Sequence, residues 1–173
     1  METQITKKIK KALYESNYVN GRLKKFLVAE CLIKIFENYK WEYDGIVDVI
    51  GVDNDRLIYC YEIKQSVSDL KTKNKLTFIG NYNYLVIPKG FYGKYKKEII
   101  EKLTDDDIGI IEIDTETNKL TYVKKAKRKE VDVNVKEQVF FRMITSMAYK
   151  MKGCDWCEYH KSECEKKGYC IKW

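Results

Sequence analysis

Asp48, Glu62 and Lys64 are the residues whose types and spacing most clearly suggest chemistry. Asp48 stands alone in the apolar run Ile46-Val47-Asp48-Val49-Ile50. Glu62 and Lys64 close a second run, Leu57-Ile58-Tyr59-Cys60-Tyr61-Glu62-Ile63-Lys64. Both runs have β-strand composition, and Asp53-Asn54-Asp55 between them reads as a hairpin turn. Side chains alternate along a strand, so Glu62 and Lys64 share a face with Cys60 and Ile58, while Tyr59, Tyr61 and Ile63 take the other. Apolar residues on both faces make this a central strand, covered on both sides. Charges at its end lose much of their water, which costs several kcal/mol unless they are paired or bind a metal. If the two strands pair through the short turn, Asp48 lies beside Glu62 at the same end of the sheet.

Two converging carboxylates hold a hard cation such as Mg²⁺, with waters and phosphate oxygens completing the octahedron. A lysine beside the metal can orient or deprotonate an attacking water and neutralise charge developing on a phosphate. Phosphodiester hydrolysis needs these functions: a nucleophile, a Lewis acid and stabilisation of transition-state charge. Glu-x-Lys on a strand is in itself common and usually lies on a solvated face. The isolated Asp48 upstream, at a distance a hairpin closes, is what distinguishes this instance.

The elements that must position these residues are read from periodicity and punctuation. From Asn20 to about Tyr39, Leu23, Phe26, Leu27, Ile33 and Phe36 recur at helical spacing, with Asn20-Gly21 as the start. The two strands follow, and Ser66 or Ser68 caps a helix expected to run to about Phe78. Tyr82–Ile87 is a third strand, stopped by Pro88-Lys89-Gly90. A lysine-rich helix spans Tyr92–Leu103. Ile108–Ile113 and Leu120–Val123 are two further strands around Thr115-Glu116-Thr117-Asn118. Val135 to about Lys152 is helical again, and a cysteine-rich tail ends the sequence. The whole predicts a mixed α/β sandwich.

The 173 residues suit one domain, and 33 Lys and Arg against 26 Asp and Glu leave a formal charge of +7. That surplus favours a polyanionic partner, nucleic acid first, although it also serves solubility. Lys119, Lys124, Lys125, Lys127, Arg128 and Lys129 are the densest basic cluster, either a DNA-backbone track or an exposed loop. The polar N-terminus lacks the apolar core of a signal peptide, and no stretch approaches the ~20 apolar residues of a membrane span. The expected location is the cytoplasm, or a host's cytoplasm for a phage-encoded chain. Six cysteines in that reducing setting indicate buried thiols or a metal site rather than disulfides.

Asp48, thirteen intervening residues and then Glu62-Ile63-Lys64 resemble the motif arrangement of the PD-(D/E)xK nuclease superfamily. Within it the chain most resembles the MmcB-like DNA-repair nucleases. The likeness extends through Gln65-Ser66, Asp69 and the lysines Lys71, Lys73 and Lys75 to Asn81-Tyr82-Asn83-Tyr84-Leu85-Val86-Ile87-Pro88. It continues in Ile108-Gly109-Ile110-Ile111-Glu112-Ile113, so that residues 22 to 125 or thereabouts are covered. Val47 replaces the motif's proline, and the glutamine-based motif on the second helix is not evident.

The resemblance implies a restriction-endonuclease-like mixed sheet flanked by helices and a DNA-cleaving activity in repair, recombination or phage DNA processing. It implies Mg²⁺ or Mn²⁺ bound through Asp48, Glu62 and Ile63. It also implies an additional acidic residue near the metal, Glu30 on the first helix. The superfamily includes members that bind without cutting, so a catalytically silent DNA- or protein-binding module is the alternative. A protein partner or a homodimer is compatible with either. Gln65 and Ser66 can contact water or phosphate, and Ser66 equally suits a helix cap.

Cys154, Cys157, Cys164 and Cys170 form a C-x2-C-x6-C-x5-C array, with His160 among them. Four soft ligands this close can enclose a structural Zn²⁺ or a 4Fe–4S cluster. The run Cys157-Glu158-Tyr159 is similar to one in RecB-like iron–sulfur exonucleases, in which a further cysteine lies far upstream, as Cys31 does here. The local four suffice, which leaves Cys31 and Cys60 as buried apolar thiols. The expected organisation is a nuclease-like domain over residues 1–152 and a metal-binding tail over 153–173 packed on it.

Overall fold

The computed structural model describes residues 3–19, 22–37, 40–72 and 76–155. The chain begins with helix α1 (Gln4–Ser16), capped by the Thr3 hydroxyl, which accepts from the Thr6 amide at 3.2 Å. Sequence reading assigns no element here, because lysines dilute the pattern. Ile9, Ala12 and Leu13 nevertheless lie one helical turn apart and are buried. Strands β1 (Tyr18–Val19) and β2 (Arg22–Leu23) form a small ribbon. Then come β3 (Lys25–Glu37), β4 (Lys40–Asp53), β5 (Ile58–Ile63), α2 (Val67–Leu70), β6 (Tyr82–Pro88), α3 (Phe91–Lys102), β7 (Gly109–Ile113), β8 (Leu120–Lys124) and α4 (Val133–Asp155). No helix among the described residues is long and apolar enough to cross a membrane.

The six strands β3 to β8 lie in the sheet in chain order. β5, β6 and β7 run parallel, as the α-helical connections between them require. The pairs β3–β4, β4–β5 and β7–β8 are antiparallel. On one face α1 lays Ile9, Ala12 and Leu13 over Val49, Tyr61, Ile63, Val86, Ile111 and Ile113. On the other, Val139 and Met143 of α4 cover Val28, Cys31, Ile33, Val47, Ile50, Ile58 and Cys60. Further along that face, Leu70, Phe91 and Ile99 cover Leu85, Ile87 and Ile110. The expected α/β sheet flanked by helices is present, and β5 is central and covered on both faces.

Two expected helices are corrected. The segment from Asn20 to Tyr39 forms β2 and β3 where it is described, with a bend at Lys24 between them. Glu30, at φ 49°, interrupts the regular alternation of β3. Leu27 and Ala29 pack towards α1 and Val28 towards α4, yet Cys31 and Ile33 also face α4. The strand changes facing at Glu30, which breaks its two-residue period. The second correction concerns the helix expected to run to Phe78. It is the single turn Val67–Leu70, with Ser66 as its cap. The remaining strands and the later helices fall within three residues of their expected bounds, except that β4 begins at Lys40, six residues before the expected Ile46.

Gly109 is fixed by its neighbours, since a Cβ there would lie 2.5 Å from the Tyr84 ring and 2.6 Å from the Ala126 amide nitrogen. Gly109→Ala is expected to cost about 1–3 kcal/mol through overpacking. Chemical denaturation monitored by circular dichroism measures this; an unchanged midpoint would mean that Tyr84 does not pack over the β7 backbone.

Candidate metal and phosphate site

The ladder between β4 and β5 runs from Val52↔Ile58 to Val49↔Tyr61 and stops. The next rung would align Asp48 with Glu62. Instead the Asp48 carboxylate reaches over and accepts the Ile63 amide N–H through Oδ2 at 2.7 Å. Asp48 thus replaces a backbone partner and anchors the end of β5. Its strand also changes facing here, because Val47 lies on the α4 face and Val49 on the α1 face. Glu30 lies across from Asp48, between the pairs Ala29↔Val49 and Cys31↔Val47. Both strands therefore turn at one rung, which carries an acidic residue on each.

Glu62 is 4% exposed and Lys64 7%. Glu62 Oε1 accepts the Thr77 amide N–H at 3.2 Å. Burial, and then the Asp48 charge, raise the Glu62 pKa to about 8, against the opposing effects of the Thr77 N–H and Lys64. Burial also raises the Asp48 pKa, while the Ile63 N–H and the charges of Lys64 and Lys10 pull it down. The three residues singled out by sequence therefore share one electrostatic site where the β4–β5 ladder stops, Asp48 within β4 and Glu62 and Lys64 at the end of β5. Ile63 points its side chain into the core under α1, so any part in a cofactor site is played by its backbone.

Lys64 is held from the α2 side. Its Nζ lies 3.4 Å from Asp69 Oδ1, while Asp69 Oδ2 accepts the Gln65 N–H at 3.2 Å. Asp69 in turn donates its amide to the Ser66 hydroxyl at 3.1 Å. Ser66 is thus the α2 cap, and Gln65 is engaged by the Thr3 hydroxyl of α1. Asp69 as an anchor for Lys64 is not evident from sequence alone, although the spacing Ser66-x-x-Asp69 carries the capping signal. Glu30 lies on a strand rather than a first helix, and its carboxylate is paired with Lys10 of α1 at 2.6 Å. Among the described residues, no three His, Cys, Asp or Glu side chains are grouped to hold a metal by themselves.

The donor set nevertheless fits a hard divalent cation. Asp48 and Glu62 are oxygen donors, partly stripped of water and mutually repulsive. Each commits one oxygen to a backbone N–H and keeps the other. Mg²⁺ is commonly held by one or two carboxylates, with waters and substrate phosphate supplying the rest.

Of the basic cluster, Lys124, Lys127, Arg128 and Lys129 are paired with Asp106, Asp107, Glu130 and Asp105, which cancels much of its field. Lys73 and Lys75 lie outside the described residues. A cavity of about 330 Å³ bordered by Lys34 of β3 and Phe141 and Arg142 of α4 contains none of the site residues. Cys31 and Cys60 are buried and free, with pKa values raised to about 11 and about 12 chiefly by burial, as suits inert thiols. Of the tail's cysteines, Cys154 falls in the last turn of α4, which runs past the expected boundary at residue 152. Cys157, Cys164, Cys170 and His160 lie outside the described residues.

No protein-family model matches the chain, and no curated protein matches its sequence. A solved structure, the SPO1766 protein of unknown function from Silicibacter pomeroyi, is similar in fold, with a TM-score of 0.61. The two are 13% identical, and the match covers 100% of each chain.

The raised Glu62 pKa has a consequence for stability. The folded state keeps a proton that an unfolded glutamate, titrating near 4.5, has released. In metal-free buffer, the stability contributed by protonated Glu62 is full below that value and is lost as pH rises towards about 8. Glu62→Gln is expected to remove this slope and to melt higher than the wild type at pH 8. Parallel pH dependences for wild type and variant in thermal melts would contradict the buried, like-charged pair.

Proposed function

We propose that the chain is a divalent-metal-dependent deoxyribonuclease of the PD-(D/E)xK type. It would hydrolyse DNA phosphodiester bonds in repair, recombination or phage DNA processing. The observation that carries this reading is the half-buried Asp48 and the buried Glu62, held where the β4–β5 ladder stops with the buried Lys64 beside them. Asp48, Glu62 and the backbone of Ile63 are assigned as the holders of Mg²⁺ or Mn²⁺. The bound cation supplies Lewis acidity and charge neutralisation.

Lys64 orients the attacking water and offsets charge growing on the phosphate, in a water-poor setting where such an interaction is strong. Asp69 fixes the Lys64 ammonium from the α2 turn. Glu62, amide-bound through Oε1, keeps its second oxygen for the cation once its proton is lost. The four tail cysteines, Cys154, Cys157, Cys164 and Cys170, are proposed to bind one structural Zn²⁺ or a 4Fe–4S cluster. A second reading, a nuclease-like module that binds DNA or a protein without cutting, draws on the proton affinity of Glu62, which opposes a cation at neutral pH.

Purified protein incubated with linear, circular and branched DNA should cut only with Mg²⁺ or Mn²⁺ and stop in EDTA. Asp48→Asn and Glu62→Gln should abolish cutting while the protein stays folded. Lys64→Ala should lose about 10²–10⁴-fold in rate, and Asp69→Asn about 10–100-fold. Cutting that survives in both carboxylate variants would sink the nuclease reading. DNA binding without any cutting would favour the second. Elemental analysis of anaerobically purified protein should find about one zinc, or one iron–sulfur cluster, per chain; neither metal would rule out the tail site.

A further inference from the structure

Two lysines outside the Asp48–Glu62–Lys64 set meet at the rung where the strands turn. Lys10 comes from α1 on one face of the sheet, its Nζ 2.6 Å from Glu30 Oε1. Lys150 comes from α4 on the other face and donates to the Ala29 carbonyl. Its charge acts on Glu30, and Lys10 acts on Asp48 as well. Glu30 is the outward member of this group, with a side chain 56% exposed against 13% for Lys10. A helix from each face thus brings an ammonium to this rung, Lys10 to the Glu30 carboxylate and Lys150 to the carbonyl of the preceding Ala29, across from Asp48.

A phosphodiester approaching the site is repelled by the Asp48 carboxylate, and by Glu62 as well once its proton is lost, unless cations lie at the entrance. The basic cluster of residues 119–129 is largely neutralised by Asp105, Asp106, Asp107 and Glu130. Lys10 and Lys150 are cations placed where the need arises. We propose that Lys10 and Lys150 form a binding pair for a nucleic-acid backbone phosphate, and that Glu30 occupies this pair in the free protein. The choice of nucleic acid as the ligand rests on the nuclease reading; the placement of the lysines around Glu30 does not. An arriving phosphate displaces the Glu30 carboxylate, whose exposed position lets it swing into water while the lysines stay anchored to their helices.

The test is fluorescence anisotropy of a short labelled DNA titrated with the full chain in EDTA, over a range of salt concentrations. Lys10→Ala and Lys150→Ala should each reduce the slope of log affinity against log salt by about one. Lys10→Arg and Lys150→Arg should retain it. Glu30→Gln should tighten binding several-fold at low salt by removing the competing anion. Should Lys10→Ala fail to fold, Lys10→Gln keeps the stem along α1 and reads the same quantity. An unchanged slope in either lysine variant, or no tightening in Glu30→Gln, overturns the phosphate pair. Reduced slopes without metal-dependent cutting keep the pair and sink the nuclease reading. Cutting with unchanged slopes does the reverse, and a wild type that does not bind DNA overturns both.

Discussion

Keeping the half-buried Asp48 and the buried Glu62 on adjoining strands is the constraint around which the rest of the structure is arranged. Asp48 and Glu62 would repel each other into solvent if their backbones were free to move. They are not, because each grips an amide, Ile63 for one and Thr77 for the other. The Ile63 amide is available only because the β4–β5 ladder stops one rung early. The ladder in turn ends where β3 and β4 change facing together. The irregular rung and the crowded acids are therefore one device: the sheet gives up a backbone pair, and the freed donor holds a charge. Backbone hydrogen bonds left unmade in a core are costly, and a carboxylate substituting for the lost carbonyl offsets that cost.

The same device explains what was legible in the sequence. Asp48, Glu62 and Lys64 stood out because each interrupts an apolar run, and such interruptions in a covered strand are rarely idle. Strands β4 to β8 followed from short apolar runs bounded by turn residues such as Asp53-Asn54-Asp55 and Pro88-Lys89-Gly90. β3 was obscured by the facing change at Glu30, which inserts an odd step into the two-residue period. α1 was obscured because its apolar stripe is narrow and surrounded by lysines. Asp69, Lys10 and Lys150 lacked any sequence signal for their part in the site, since each depends on which strand a helix crosses.

Charge on this protein is organised locally rather than by its total. The formal surplus of +7 suggests a basic surface, yet the densest basic stretch is answered by acidic neighbours in the turn before β7. Lys10, Lys64 and Lys150 come from α1, the end of β5 and α4, and act on the acidic rung. Three elements distant in sequence thus converge on one rung within the β3–β4 ladder, a concentration of field that composition alone does not disclose.

The strand order has a consequence for how the chain reaches this state. Because β3 to β8 are laid down in sequence order, each strand can dock on its predecessor as it leaves the ribosome, and few long loops have to close. The exception is α4. It is the last described element, and it covers the first half of the sheet. Until it is synthesised, Val28, Cys31, Ile33, Val47 and Ile50 lack the Val139 and Met143 lid, while β3 leaves a bare edge. The nascent sheet is thus most exposed to mispairing late in translation, with most of its strands already paired. The left-handed backbone at Glu30 interrupts the regular row of groups along this edge strand, which makes the edge a poorer template for a foreign strand.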